Sequence, residues 1–125
     1  MITIVSTEKA PAAIGPYSQA IVTRDLVFTS GQIPIDPATG EVVKGGIAEQ
    51  SHQVMKNIME VLAAANSCAE KVIKTTCFLR DMSDFQAFNE VYAQYFTGKP
   101  ARSCIAVRAL PKDVLVEVEA VAQTE

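Results

Sequence analysis

The stretch from Val114 to Ala122, VLVEVEAVA, constrains this chain more than any other. In a strand successive side chains point to opposite faces, so Val114, Val116, Val118 and Ala120 share one face while Leu115, Glu117, Glu119 and Val121 share the other. Both faces carry apolar residues, and a strand that is apolar on two sides is normally covered on two sides. Whatever fold contains this strand has to supply two covers.

The rest of the chain provides for only one. From Ile47 to Ala65 the apolar residues Ile47, Val54, Ile58, Val61, Leu62 and Ala65 recur at three- and four-residue steps, with Glu49, Gln53, Lys56 and Glu60 elsewhere, which predicts an amphipathic helix. A second helix is expected where Ser83 and Gln86 make a capping-box pattern ahead of Phe85, Phe88, Tyr92, Tyr95 and Phe96. Residues 2 to 5, ITIV, read as a short strand, followed by a loop through Pro11, Gly15 and Pro16. The runs AIVT and LVFTS flank Arg24-Asp25 as a hairpin, although that dipeptide is poor turn chemistry. GQIPIDPATGE reads as a surface loop, and the β-branched run KVIKTTCFLR as a strand. RSCIAVRAL and VLVEVEAVA follow as two strands separated by a PKD turn that could make them a hairpin.

The resulting order is βββαβαββ, an α+β arrangement with both helices packed on one face of a sheet. Two helices leave the opposite face bare, so an oligomer is expected to cover it.

At 125 residues the chain forms one domain, residues 1–125, with no repeat or low-complexity tract. The net charge of -3 offers no basic field for phosphate backbones, so nucleic acid is disfavoured as a partner. The start MITIVSTEKAP lacks a basic segment followed by a long apolar one, and no window is long enough to span a bilayer. The expected setting is cytoplasmic. Cys68, Cys77 and Cys104 are odd in number and lack CxxC spacing, which suits reduced, packed thiols. His52 is the only histidine and reads as a solvated helix residue; no zinc, dinucleotide or P-loop motif occurs, so no metal or cofactor is expected.

Of five residues to weigh, four have a plain and a functional reading side by side. Arg102 is either a surface arginine whose stem covers apolar area or, at a loop-to-strand junction near an interface, a planar fork for a carboxylate. Glu117 and Glu119 are either edge acids reaching solvent or partly buried acids with a task. Tyr17 is a packed loop aromatic or a hydroxyl aimed at a pocket, and Asn89 is ordinarily a solvated helix residue. Spacing leaves these alternatives open.

Three blocks in order, GPYSQA at 15–20, SGQIPIDPATGE at 30–41 and PARSCIAVRALPKDVLVEVEAVA at 100–122, closely resemble the reactive intermediate deaminase family (RidA, also called YjgF/UK114). The resemblance implies a chorismate-mutase-like (YjgF-like) α+β fold, a mixed sheet whose three copies form a trimeric barrel with sites between subunits. It implies hydrolysis of 2-enamine and 2-imino acids, such as 2-aminoacrylate with 2-iminopropanoate and 2-iminobutanoate, to 2-keto acids and ammonia, without a cofactor. Carried onto this chain, Arg102 anchors the substrate carboxylate, the backbone N–H groups of Cys104 and Gly31 complete the anion pocket, Glu117 polarises the water, and Tyr17 bonds near substrate or water. Ser30 and Asn89 line the site, and Arg102 and Glu117 of one chain are expected to meet Tyr17 of a neighbour. Only Thr97-Gly98-Lys99 separates Phe96 from Pro100, a shorter rim than some relatives have. Two rival readings use the same surface: a keto-acid or amino-acid binding regulator without turnover and, ranked last, a ribonuclease.

Overall fold

The computed structural model describes residues 1–125. In chain order the elements are β1 (Ile2–Val5), β2 (Ala20–Thr23), β3 (Leu26–Thr29), β4 (Ile35–Asp36), β5 (Glu41–Val42), α1 (Ile47–Ala64), β6 (Val72–Leu79), α2 (Phe85–Tyr95), β7 (Ala101–Ala106) and β8 (Val116–Gln123). Six strands form one sheet in the order β1-β2-β3-β8-β6-β7, and β4 with β5 forms a separate small ribbon. The sheet is mixed: β6 and β7 run parallel, and every other pair is antiparallel.

The β2–β3 hairpin forms as expected, and its turn puts Arg24 at φ 55°. A left-handed arginine is tolerated there because four paired positions on either side hold the register. The last two strands do not form a hairpin. The chain crosses from β6 through α2 to β7, and such a crossover returns the strand parallel to its predecessor. β7 therefore occupies one flank of β6 and β8 the other, inserted between β3 and β6. The end of β6 is shared by both: Val107 N donates to Leu79 O (2.9 Å) and Arg80 N to Leu115 O (3.0 Å). β7 stops at Ala106, short of the expected Leu110, and becomes a sheet edge.

Two local expectations also shift. The 31–41 segment is not plain loop: Ile35 pairs with Val42 and Asp36 with Glu41, and the buried Asn57 of α1 donates Nδ2 to the carbonyls of Ile33 (3.1 Å) and Ile35 (2.9 Å). The entry to α2 is capped by Asp81, whose Oδ1 accepts from Ser83 N at 2.8 Å, and a single helical turn at Met82–Asp84 leads into the helix; Ser83 is not the cap.

One sheet face carries both helices. Val27, Cys77, Leu79, Val116, Val118, Ala120 and Ala122 of the sheet join Val54, Ile58, Val61 and Leu62 of α1 and Phe88, Val91 and Tyr92 of α2 there in one buried apolar cluster. The alternation read from β8 holds, since its even-numbered residues are buried while Glu117, Glu119 and Val121 face away. On that outward face the paired positions align Ile4, Ile21, Phe28 and Val121 across four strands, with Phe78 and Ile105 on β6 and β7. Ile4, Phe28 and Ile105 are exposed, 45–66% of their surface open. No helix is long and apolar enough to cross a membrane.

Candidate functional site

Arg102 lies on the edge strand β7 and pairs in register with Thr75 of β6, so its side chain shares the helix-covered face. Its guanidinium carbon sits 4.7 Å from the Tyr92 ring centroid and 5.6 Å from that of Phe85, a cation–π seat on α2. The Tyr92 hydroxyl is bonded to Thr75 Oγ1 at 2.6 Å, which fixes the ring under the guanidinium. Nη1 donates to Asn89 Oδ1 at 2.7 Å. The ion pairs of the chain are Lys71–Glu125 and Arg80–Asp113, so Arg102 has no carboxylate of its own. A held, half-buried fork without a counter-ion has the charge and geometry to take a carboxylate through two hydrogen bonds. It opens on a cleft of about 370 Å³ lined by Tyr92, Phe96, Thr97, Lys99 and Pro100. The tight 97–99 turn puts Lys99 at φ 53° and forms part of this rim.

Glu117 belongs to the other face. It pairs with Phe78 and faces away from the helices. An isolated bridge joins Gln32 and Val118, with N–H to carbonyl distances of 2.8 and 3.2 Å, and it lays Gly31 directly against the Glu117 side chain. A methyl group at Gly31 would overlap that carboxylate, reaching 2.9 Å from its Cδ. Any larger residue here would displace the Glu117 carboxylate. The Gly31 N–H donates to no group in the chain, whereas its neighbours are committed: Ser30 N to Gln19 O (2.9 Å), Ser30 Oγ to Ser18 O (2.6 Å). Burial pushes the Glu117 carboxyl above its usual range, and the adjacent Glu119 adds to the shift. Tyr17, Ser30, Gly31, Glu117 and Glu119 line one cavity of about 590 Å³, with Ile14, Ile33 and Lys112.

The structure thus sorts the seven residues singled out from the sequence into two groups. Arg102, Asn89 and Cys104 stand on or under the β7 edge; Tyr17, Ser30, Gly31 and Glu117 surround the cavity on the open face. Arg102 and Glu117 of one chain lie two strands apart, roughly 10 Å, and project from opposite faces, too far for one small acid to touch both. Tyr17 and Glu117 line one cavity within a single chain, and Arg102 opens on a different cleft.

Cys104 pairs in register with Cys77. Burial raises both thiols, Cys77 to about 12, while Arg102 pulls the Cys104 thiol only partly back. Neither is an activated nucleophile. Its position on an edge strand instead makes the Cys104 backbone available, because alternate N–H groups of β7 have no strand to pair with. His52 is not a free helix residue: its Nδ1 lies 2.9 Å from Tyr95 Oη, between the two helices. Reading the sequence for chemistry missed Phe85, Tyr92 and Thr75, the seat of the arginine. Their helical or strand periodicity marks them only as core, and nothing in the spacing of 75, 85, 92 and 102 announces that they converge.

Comparison with known proteins bears on the whole chain. Residues 7–124 match the family model described as Endoribonuclease L-PSP. A RutC family protein of Pyrococcus horikoshii is 54% identical over 126 residues, covering 100% of both chains. The 2-iminobutanoate/2-iminopropanoate deaminase of Homo sapiens is 49% identical over 120 residues, covering 95% of this chain and 88% of that one. Among solved structures, E. coli TdcF with bound serine superposes with a TM-score of 0.93 at 42% identity, covering 98% of this chain and 99% of the other.

Proposed function

Because the chain belongs to the Endoribonuclease L-PSP family, the RidA/YjgF group, we propose that it hydrolyses 2-imino acids and their enamine tautomers to 2-keto acids and ammonia, at sites built between subunits of a homotrimer. The observation that carries this reading is Arg102: a guanidinium stacked on Tyr92, oriented by Asn89 and lacking any acid in its own chain. The human relative's deaminase name and the serine-bound E. coli structure support a small amino- or imino-acid ligand.

In the proposed site the β7 edge of one chain faces the Glu117 cavity of the next. Arg102 takes the substrate carboxylate through two parallel hydrogen bonds, with the N–H groups of Cys104 and Gly31 as further donors. Glu117 accepts a proton from water as its oxygen adds to the iminium carbon, C2. Tyr17 orients that water or the nitrogen. The carbinolamine that forms receives a proton on nitrogen, the C2–N bond breaks with its electron pair leaving on ammonia, and the C2 hydroxyl proton departs to leave the keto acid. Every atom comes from substrate and water, so positioning and one base are the whole demand. A keto-acid sensor would gain nothing from a desolvated carboxylate beside its anion, which is why Glu117 favours turnover over binding alone. His52 is occupied with Tyr95 and lines neither Arg102's cleft nor Glu117's cavity, so a histidine-based ribonuclease finds no support.

The test couples the protein to a threonine dehydratase with threonine and follows imine decay by semicarbazide trapping. The expected result is accelerated decay that Arg102→Ala reduces by at least about 100-fold, since two charge-assisted hydrogen bonds of roughly 1.5–3 kcal/mol each are lost. Arg102→Lys keeps the charge but not the fork, and falls between. Unaccelerated decay, or an unaffected Arg102→Ala, contradicts the reading.

A further inference from the structure

Residues 111–113 join the two halves of the site along the chain, and their backbone is unusual. Lys112 and Asp113 are consecutive non-glycine residues in the left-handed region, φ 55° and 56°. Such a pair persists only where its surroundings over-determine it. Here they do. Asp113 N donates to Leu110 O (3.0 Å) and Val114 N to Pro111 O (3.3 Å). Leu115 N donates to Oε1 of the buried Gln50 (2.8 Å), while Leu115 O accepts from Arg80 N (3.0 Å). Arg80 Nη1 also lies 3.4 Å from Asp113 Oδ2.

That last contact occupies the acid of the turn and leaves Lys112 with no ion-pair partner. The clamped turn sets Lys112 on the wall of the Glu117 cavity and of an adjoining chamber of about 410 Å³, lined mainly by Pro11, Ile14, Ile33, Ile35 and Pro37. Glu117 and Glu119 make the first cavity a poor host for an anion, since both repel an incoming carboxylate. Lys112 is the one basic side chain that lines it.

We infer that Lys112 is a specificity-determining residue, a rim cation that offsets Glu117 and Glu119 and so admits carboxylate-bearing substrates to the Glu117 cavity. The inference rests on the reaction proposed above, in that the ligand is a small acid. Lys112 touches no reacting atom in this role and acts on the encounter and on binding, not on the chemical step.

Steady-state kinetics of Lys112→Ala on the imine should therefore show KM raised about threefold to tenfold, the size of one charge at a solvated rim, with kcat within about twofold of the parent. Lys112→Arg should restore KM. Added salt should raise the parent's KM and move that of Lys112→Ala much less. Lys112→Gly separates charge from fold: it relieves a left-handed side chain, so it should melt at or above the parent temperature while sharing the KM of Lys112→Ala. An unchanged KM in Lys112→Ala, or a raised KM that Lys112→Arg fails to restore, overturns the inference. Calorimetric titration with 2-ketobutanoate keeps the two ideas apart. If the parent turns over no imine but binds the keto acid more tightly than Lys112→Ala does, the proposed reaction fails and the role of Lys112 stands. Equal affinity, or binding by neither protein, overturns the role itself.

Discussion

Glu117 shows how a single residue can be placed by the sequence and yet not understood from it. The β8 alternation put it on the outward face, and there it is found. What alternation does not contain is the neighbour across space: the Gln32–Val118 bridge that brings Gly31 within reach of a carboxylate 86 positions away (117 − 31). That contact half-buries the acid and, with Glu119, raises its proton affinity. The folded chain then holds the proton more tightly than the unfolded one, so stability falls as pH rises from the usual carboxylate range through the raised value. Two consequences oppose each other. Glu117→Gln should lose about 10²- to 10⁴-fold in kcat, the contribution of a positioned base, yet melt at a temperature no lower than the parent at neutral pH. In the parent, kcat/KM should rise with pH along an acid limb centred above the ordinary carboxylate pKa, and Glu117→Gln should lack that limb. Arg102 was legible as a fork only through the three-block resemblance. Its seat on Tyr92 and Phe85 came from the fold, because residues contributed by α2 and β7 have no fixed sequence distance.

At the scale of elements, the strands and helices were legible because hydrophobic period is local, and their pairing was less so because it is not. PKD looked like a hairpin turn, and two short strands beside it were compatible with that. The α2 crossover decided otherwise, by committing β7 to the parallel flank of β6 and leaving the antiparallel flank to β8. A β7–β8 hairpin would have covered the β7 edge on which Arg102 and Cys104 sit, the edge the proposed site uses. The β4–β5 ribbon was hidden for a related reason: prolines and glycines dominate its sequence, and its anchor, Asn57, lies on α1. Replacing Asn57 with Ala takes that donor from the buried Ile35 carbonyl and leaves the Ile33 carbonyl with Ile35 N alone, and should lower stability by about 1–3 kcal/mol in urea unfolding. Because Ile33 lines the Glu117 cavity, kcat/KM should fall as well while the β2–β3 hairpin keeps its register. A variant as stable as the parent would show that another group holds the ribbon.

On the face opposite both helices the molecule exposes Ile4 and Phe28 on one side and Ile105 on the other, with Val121 and Phe78 half-buried and Thr76 and Glu119 between them. Exposed apolar residues grouped on one face mark contact surfaces, and the proposed trimer covers this face while setting the β7 edge of one chain against the Glu117 cavity of the next. If the proposed homotrimer holds, Ile105→Asp should reduce the mass seen in light scattering from three chains of 13.5 kDa toward one, with imine hydrolysis lost in parallel. Retained activity in a monomeric variant would place the whole site in one chain. The most direct test mixes two inactive proteins, Arg102→Ala and Glu117→Gln, by joint refolding in equal amounts. If Arg102 comes from one chain and Glu117 from the next, random assembly leaves about a quarter of the sites with both residues intact, and about a quarter of parent activity should return. If a single chain supplied both, no site in any mixture would be whole, and the mixed protein would stay as inactive as its components.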